Sequence, residues 1–242
     1  MTTYSRNTID TVWLDLDDTL WDFHNNSLIS LARLYETERL DLYFDSLEHW
    51  QECYLTVNHS LWPLYNNGSI TKEYLMTERF RRPLADASFP QDKLTETVKR
   101  LDVEYLKRLG QLPHLVPGAL DLLHYLRHKG YQIGIISNGF LEVQSNKLRS
   151  SGIESLIDVM VLSDDIGVNK PDRRIFDHAI SKAGTSASRS IIVGDNPDTD
   201  INGALGAGWK AIYFNRDNAN TNEVPRGALM VTHLNQVKDI IL

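Results

Sequence analysis

The sequence predicts an α/β fold, a mostly parallel sheet with helices on both faces, interrupted by an inserted helical domain. Three observations lead there. Five short apolar runs rich in β-branched and aromatic residues each stop at a polar cluster, the pattern of strands covered on both faces. Helical patterns lie between these runs. The stretch from about Trp21 to Leu109 holds no strand-like run, only four amphipathic patterns.

In chain order, Thr11–Leu14 is the first strand and opens into Asp15-Leu16-Asp17-Asp18. The insert follows. Its first helix carries Leu28, Leu31, Ala32 and Tyr35. The second starts after Ser46 with Trp50, Cys53, Tyr54, Val57 and Leu61, and the third follows Thr71 with Leu75, Met76, Arg79 and Phe80. The last carries Leu94, Val98, Leu101, Tyr105 and Leu109. The spacing predicts a domain at 21–110 within an α/β core of 1–20 and 111–242, with Leu112–Pro117 as the return linker. Pro117 and Gly118 open a helix with Leu120, Leu123 and Leu126 on one side. Asp121 sits in its first turn, Arg127, His128 and Lys129 in its last, and Gly130 follows.

A strand over Tyr131–Ile136 stops at Ser137-Asn138-Gly139, and one over Ile157–Leu162 at Ser163-Asp164-Asp165. A helix follows Pro171, which suits its first position, with Ile175, Phe176, Ala179, Ile180 and Ala183 on one face. Strands over Ser190–Gly194 and Lys210–Phe214 stop at Asp195-Asn196-Pro197 and at Asn215. An edge strand from Leu229 and a closing helix with Leu234, Val237, Ile240 and Ile241 complete the chain.

The 242 residues carry 25 basic and 32 acidic side chains, a net charge of −7 that disfavours nucleic acid and anionic membrane surfaces as partners. Cys53 alone makes no internal disulfide, and neither a secretory h-region nor a membrane span is evident, so a reducing cytoplasm is expected.

Ligands of such sheets bind outside the C-terminal strand ends, where Asp15, Ser137 and Asp195 fall. Asp15 and Asp17, two apart, start on one face and repel unless a cation or a hydrogen-bonded loop neutralises them. With Asp195 they offer three hard oxygen donors suited to Mg²⁺. Singly, each acid reads as a loop or cap residue; together, on one rim, they read as a site. Ser137-Asn138-Gly139 suits either a phosphate cradle or a helix cap, and Lys170, held before Pro171, either reaches back over the strand ends or is solvated surface.

Taken in order, Asp15-Leu-Asp-Asp-Thr-Leu, Ser137-Asn-Gly, Lys170-Pro and Gly194-Asp-Asn-Pro-Asp-Thr-Asp200 resemble the four motifs of the haloacid dehalogenase (HAD) superfamily, over essentially the whole chain. The resemblance implies a Rossmann-like parallel-sheet core with a four-helix C1 cap of subfamily I. Val57–Thr71 together with Ser163–Pro171 resembles the YjjG-type pyrimidine 5′-nucleotidases more narrowly.

By that resemblance Asp15 is the nucleophile of an aspartyl-phosphate pathway, and Asp17 the acid that protonates the leaving group and then the base toward water. Mg²⁺ sits between the Asp15 carboxylate, the Asp17 backbone oxygen and Asp195. Ser137, the Asn138 N–H and Lys170 hold phosphate, and Asp200 orients Lys170. Asp18 and Thr19 stabilise the loop. Dehalogenases lack the second acid because halide leaves without a proton, so Asp17 points to phosphoryl chemistry.

The expectation is thus a Mg²⁺-dependent phosphomonoesterase acting on a small-molecule substrate, a nucleoside 5′-monophosphate first, as a monomer or weak dimer. The alternatives are a sugar-phosphate phosphatase, a phosphomutase, or a silent binding module. Tyr43, Phe44, Trp50, Tyr54, Trp62 and Tyr65 read mainly as cap core, with Trp62 or Tyr65 as candidates to reach substrate. His24 reads as a surface residue.

Overall fold

The computed structural model describes residues 3–218 and 224–242. Six parallel strands form one sheet in the order β3-β2-β1-β4-β5-β6. They are β1 (Thr11–Leu14), β2 (Gln132–Ser137), β3 (Val159–Leu162), β4 (Ser190–Gly194), β5 (Lys210–Phe214) and β6 (Leu229–Val231). The helices are α1 (Phe23–Thr37), α2 (Leu47–Asn66), α3 (Lys72–Asp86), α4 (Gln91–Leu109), α5 (Ala119–His128), α6 (Leu141–Ser150), α7 (Ser163–Ile166), α8 (Arg173–Ala183), α9 (Gly203–Gly206) and α10 (Val237–Ile240). No helix among the described residues is long and apolar enough to cross a membrane.

The chain divides into two compact units, Met1–Phe23 with Pro113–Leu242, and His24–Leu112. The junctions lie two to three residues beyond the 20/21 and 110/111 read from the sequence. Trp21 and Asp22 are tied into the α/β unit: Trp21 N–H donates to the Leu16 carbonyl at 2.8 Å, Asp22 N–H to the His114 carbonyl at 3.1 Å, and Arg216 pairs with Asp22 at 3.1 Å.

In the α/β unit, β1 lies between β2 and β4, with Trp13 level with Gly134 and Ile192. Every residue of β1 is buried, as a strand covered on both faces requires. The Trp13 indole covers Gly134, where a Cβ would overlap the ring. Trp13 meets Trp209 at 5.4 Å, and Trp209 meets Phe176 edge-on at 5.2 Å. This cluster anchors α8 and β4 to the strand that carries the acidic motif.

Just before β1, Asp10 accepts hydrogen bonds from Arg189 Nε at 2.5 Å, Thr185 Oγ1 at 2.7 Å and Thr11 Oγ1 at 2.9 Å. Burial pushes its carboxyl up, but Arg189 and the two hydroxyls outweigh this and hold it below the ordinary 3.8. A depressed carboxyl contributes stability that is present above the ordinary value and is lost as pH falls through it toward the folded one. Asp10→Asn is therefore expected to lower stability at pH 7 and to flatten the acid limb of the stability curve below about pH 4. Urea titrations at a series of pH values measure both.

The helical unit differs in detail from its periodicity. In α1 the buried stripe is Asn26, Ser27, Ser30, Leu31 and Leu34, whereas Leu28, Ala32 and Tyr35 are only half-buried. Ser27 Oγ bonds to the Tyr105 hydroxyl at 2.8 Å, and an apolar pattern gives no sign of such a polar seam. Trp50, Tyr54, Phe80 and Tyr105 pack ring on ring with centroids 4.9–6.3 Å apart, so Trp50 and Tyr54 are core, as expected. Ser46 and Thr71 cap α2 and α3 through their side chains.

Two corrections fall in the α/β unit. Leu120 is 43% exposed; α5 buries Ala119, Leu122, Leu123 and Leu126, the i, i+3, i+4, i+7 set, which the chosen i, i+3, i+6 set drifts away from. Pro171 is not the first residue of α8. That helix begins at Arg173, and the Asp172 side chain caps it by accepting from Arg174 N–H at 2.9 Å.

Candidate active site

The sheet order reverses at β1, since the chain runs outward through β2 and β3 and returns to β4 on the other side. Such a switch point leaves a crevice at the C-terminal strand ends. Three adjacent strands deliver Asp15, Ser137 and Asp195 there. The β1 ladder extends one residue further, with Asp15 N–H donating to the Val193 carbonyl at 3.0 Å.

Asp15, Asp195 and Asp200 bring carboxylate oxygens within 4.8 Å of one another. Lys170, 2% exposed, faces them from the loop before α8. Its ammonium donates to Asp15 Oδ1 at 2.5 Å, to Asp200 Oδ1 at 2.7 Å and to the Ile136 carbonyl at 2.8 Å, so all three N–H groups are engaged. A reciprocal pair fixes its backbone. Lys170 N–H donates to Asn138 Oδ1 at 2.7 Å, and Asn138 Nδ2 returns a bond to the Lys170 carbonyl at 3.0 Å. That pairing occupies the Asn138 side chain.

Three carboxylates against one ammonium leave excess negative charge in a buried place. Burial pushes the Asp15 carboxyl up to about 7 against the pull of Lys170, and the charges of Asp200 and Asp17 add to the rise. Burial, then the charges of Asp15, Asp200 and Asp18, push Asp195 well above its ordinary value. Burial works against the Lys170 charge, but Asp15 and Asp200 outweigh it and hold the ammonium above its ordinary value.

Further bonds define what each acid still offers. Thr19 Oγ1 donates to Asp195 Oδ1 at 3.2 Å. Asn196 N–H donates to Asp200 Oδ2 at 3.1 Å, so both oxygens of Asp200 are engaged. At Asp15 and Asp195 the bonds fall on Oδ1, which among the described residues leaves Oδ2 of each for another partner. A Cβ on Gly194 would lie 2.6 Å from Asp200 Cγ. Gly194→Ala is expected to displace Asp200 from Lys170 and destabilise the fold by about 1–3 kcal/mol, the range for overpacking; a thermal melt checks it.

Asp17 takes other partners. Strand alternation ends with β1, and Asp18, at φ +58°, turns the chain. The Asp17 carboxylate accepts from Lys147 Nζ at 2.6 Å and Gln144 Nε2 at 2.9 Å, both on α6. Gln144 Nε2 also donates to Ser137 Oγ at 2.8 Å, and Gly139 N–H donates to the same oxygen at 3.1 Å. With two bonds accepted, the Ser137 hydroxyl keeps its own proton for an incoming acceptor.

Of the residues singled out from the sequence, Asp15, Lys170, Asp195 and Asp200 form one cluster, and Ser137 and Asp17 are joined through Gln144. Thr19, read as a loop stabiliser, also reaches Asp195, and Gln144 and Lys147 have no place in the sequence reading. The available signal was polar residues at the inward positions of α6, which buries Gln144, Lys147 and Leu148. In the helical unit, half-buried Trp62 meets Tyr65 edge-on at 5.7 Å and donates to Asn58 Oδ1 at 3.2 Å, and His24 is exposed.

A family model described as haloacid dehalogenase-like hydrolase matches residues 12–214. The pyrimidine 5′-nucleotidase YjjG of Escherichia coli (strain K12) is 32% identical over 219 residues, 90% of each chain. The pyrimidine 5′-nucleotidase PynA of Streptococcus pneumoniae is 28% identical over 208 residues, 86% of this chain and 84% of that one. The magnesium-bound crystal structure of the HAD-hydrolase YfnB from Bacillus subtilis superposes with a TM-score of 0.84 at 26% identity, covering 96% of this chain and 98% of that chain.

Proposed function

The chain belongs to the haloacid dehalogenase-like hydrolase family and is a phosphatase of that family. On that premise we propose that it is a Mg²⁺-dependent phosphomonoesterase acting through an aspartyl-phosphate, with nucleoside 5′-monophosphates as substrates. The observation that carries the chemistry is the buried Asp15–Lys170–Asp200 cluster with Asp195 beside it, at the ends of adjacent strands. Similarity to two pyrimidine 5′-nucleotidases over most of the chain supports the substrate class.

Asp15 attacks phosphorus through a carboxylate oxygen, and a P–O bond forms as the ester P–O bond breaks. The ester oxygen leaves with the bonding pair and takes a proton from Asp17, which enters this step as the carboxylic acid and is left as the carboxylate that Lys147 and Gln144 hold. Water then attacks phosphorus, giving a proton to Asp17, and the Asp15 oxygen departs with its pair as free carboxylate. Ser137 Oγ–H and the Asn138 backbone N–H hold the phosphoryl oxygens where charge spreads in the transition state. Lys170 adds a fixed positive charge behind the nucleophile, and Asp200 orients it.

The donor set fits Mg²⁺. Asp15 and Asp195 each keep an oxygen open, both are pushed upward by uncompensated charge, and hard oxygens suit this ion. Their carboxylates and the Asp17 backbone oxygen would hold it. Bound there, Mg²⁺ supplies charge neutralisation between an anionic nucleophile and a dianionic phosphate, worth about 1 kcal/mol in water at contact and more in a dry site.

The test is a panel of nucleoside and sugar monophosphates ranked by kcat/KM, with and without EDTA. Nucleotides leading with metal-dependent phosphate release is the expected result. Sugar phosphates in the lead would move the substrate class, and turnover with little free phosphate would mark a mutase. Metal binding with no release from any monophosphate would refute catalysis. The same reading takes the enzyme as cytoplasmic and as a monomer or weak dimer.

A further inference from the structure

Lys147 is a basic side chain only 3% exposed, and lysines are almost never fully buried unless paired. Its ammonium lies 2.6 Å from Asp17 Oδ1 and 4.6 Å above the Trp21 ring, with the Phe23 ring at 5.6 Å. Carboxylate and aromatic faces therefore confine it together. One helical turn earlier, fully buried Gln144 sends one nitrogen to both Asp17 Oδ2 and Ser137 Oγ. Its Oε1 has no hydrogen-bond partner among the described residues, a cost that a purely structural glutamine does not carry without compensation. Gly139 makes the approach possible, since a Cβ there would overlap the Gln144 amide. Both carboxylate oxygens of Asp17 are thus held by α6, in register with the serine of the phosphate cradle.

We propose that Lys147, with Gln144, is a positioning residue that fixes the Asp17 carboxyl where the leaving oxygen departs. This rests on the phosphomonoesterase reading with Asp17 as proton donor. A carboxyl free to rotate delivers its proton late, and a displacement of about 1 Å in such a group costs on the order of 100-fold. The loss must then depend on how much the leaving group needs a proton. Phenol, like the tyrosine side chain, keeps its proton up to about pH 10, so a departing phenoxide needs one, whereas p-nitrophenoxide leaves unaided near neutrality.

The experiment measures kcat/KM, which reports steps up to leaving-group departure, for phenyl phosphate and p-nitrophenyl phosphate. For Lys147→Met the expected fall is about 100-fold with phenyl phosphate and less than about 5-fold with p-nitrophenyl phosphate. Lys147→Arg, which keeps charge and donors, is expected to restore phenyl phosphate turnover to within about tenfold of wild type. Partial unfolding removes active molecules equally for both substrates and leaves their ratio unchanged; where the methionine variant does not fold, Lys147→Gln takes its place. An equal fall, no fall, or an arginine variant as impaired as the methionine one overturns the positioning role while the phosphatase reading stands. Wild-type protein inactive on both substrates overturns both.

Discussion

Asp15→Asn is expected to lower kcat at least about 100-fold, because an amide oxygen cannot form the phosphoryl bond that the carboxylate forms. Stability is expected to move the other way or not at all. The Asp15 carboxyl is pushed up to about 7 by burial, so its charged form strains the fold rather than supporting it. Lys170 would keep Asp200 and the Ile136 carbonyl as partners. In metal-free buffer near pH 8 the variant should therefore melt at or above the wild-type temperature. A catalytic loss with an unchanged or raised melting point separates chemistry from unfolding. Asp17→Asn should lose turnover on the same scale. Near-normal turnover in either variant would mean that the roles are misassigned.

Lys170→Met is expected to be the most destabilising single change in the site, by about 3–5 kcal/mol at pH 8 without metal, the range for removing one partner of a buried ion pair. Methionine fills much of the space but leaves Asp15, Asp195 and Asp200 facing one another with no cation. The sign of the pH dependence follows. Burial already pushes the Asp15 carboxyl up to about 7, and removing the ammonium that holds it down pushes it further up. Acidification toward pH 5.5 neutralises the stranded carboxylates in the folded variant, so the deficit shrinks as pH falls. Added Mg²⁺ should recover part of it by binding the folded state. Denaturant titrations of both proteins at pH 8 and 5.5, with EDTA or Mg²⁺, measure each term; a deficit that does not change with pH would mean that packing, not charge, is lost.

The strands were legible because each is a continuous apolar run closed by a polar cluster. β1, β4 and β5 have the bounds that their runs define, while β2 and β3 begin one and two residues later than Tyr131 and Ile157. The polar inward stripe of α1 and the rotated face of α5 were not legible, since a buried Ser27 or an exposed Leu120 departs from hydrophobic patterning. Asp15, Ser137, Lys170 and Asp195 stood out because each closes a recognisable local motif. Gln144 and Lys147 did not. Their partner Asp17 lies 127 and 130 residues away along the chain.

Periodicity, turn chemistry and motif order act over a handful of residues, so the chain alone was enough for the α/β core and for the motif residues to stand out as candidates. Which of those residues share a charge, which carboxylates keep an open oxygen, and which side chains of α6 hold Asp17 were settled only when the sheet placed β1 between β2 and β4. Desolvation and ion pairing are through-space effects. They depend on what the fold brings within a few ångströms, and no local pattern encodes that neighbourhood.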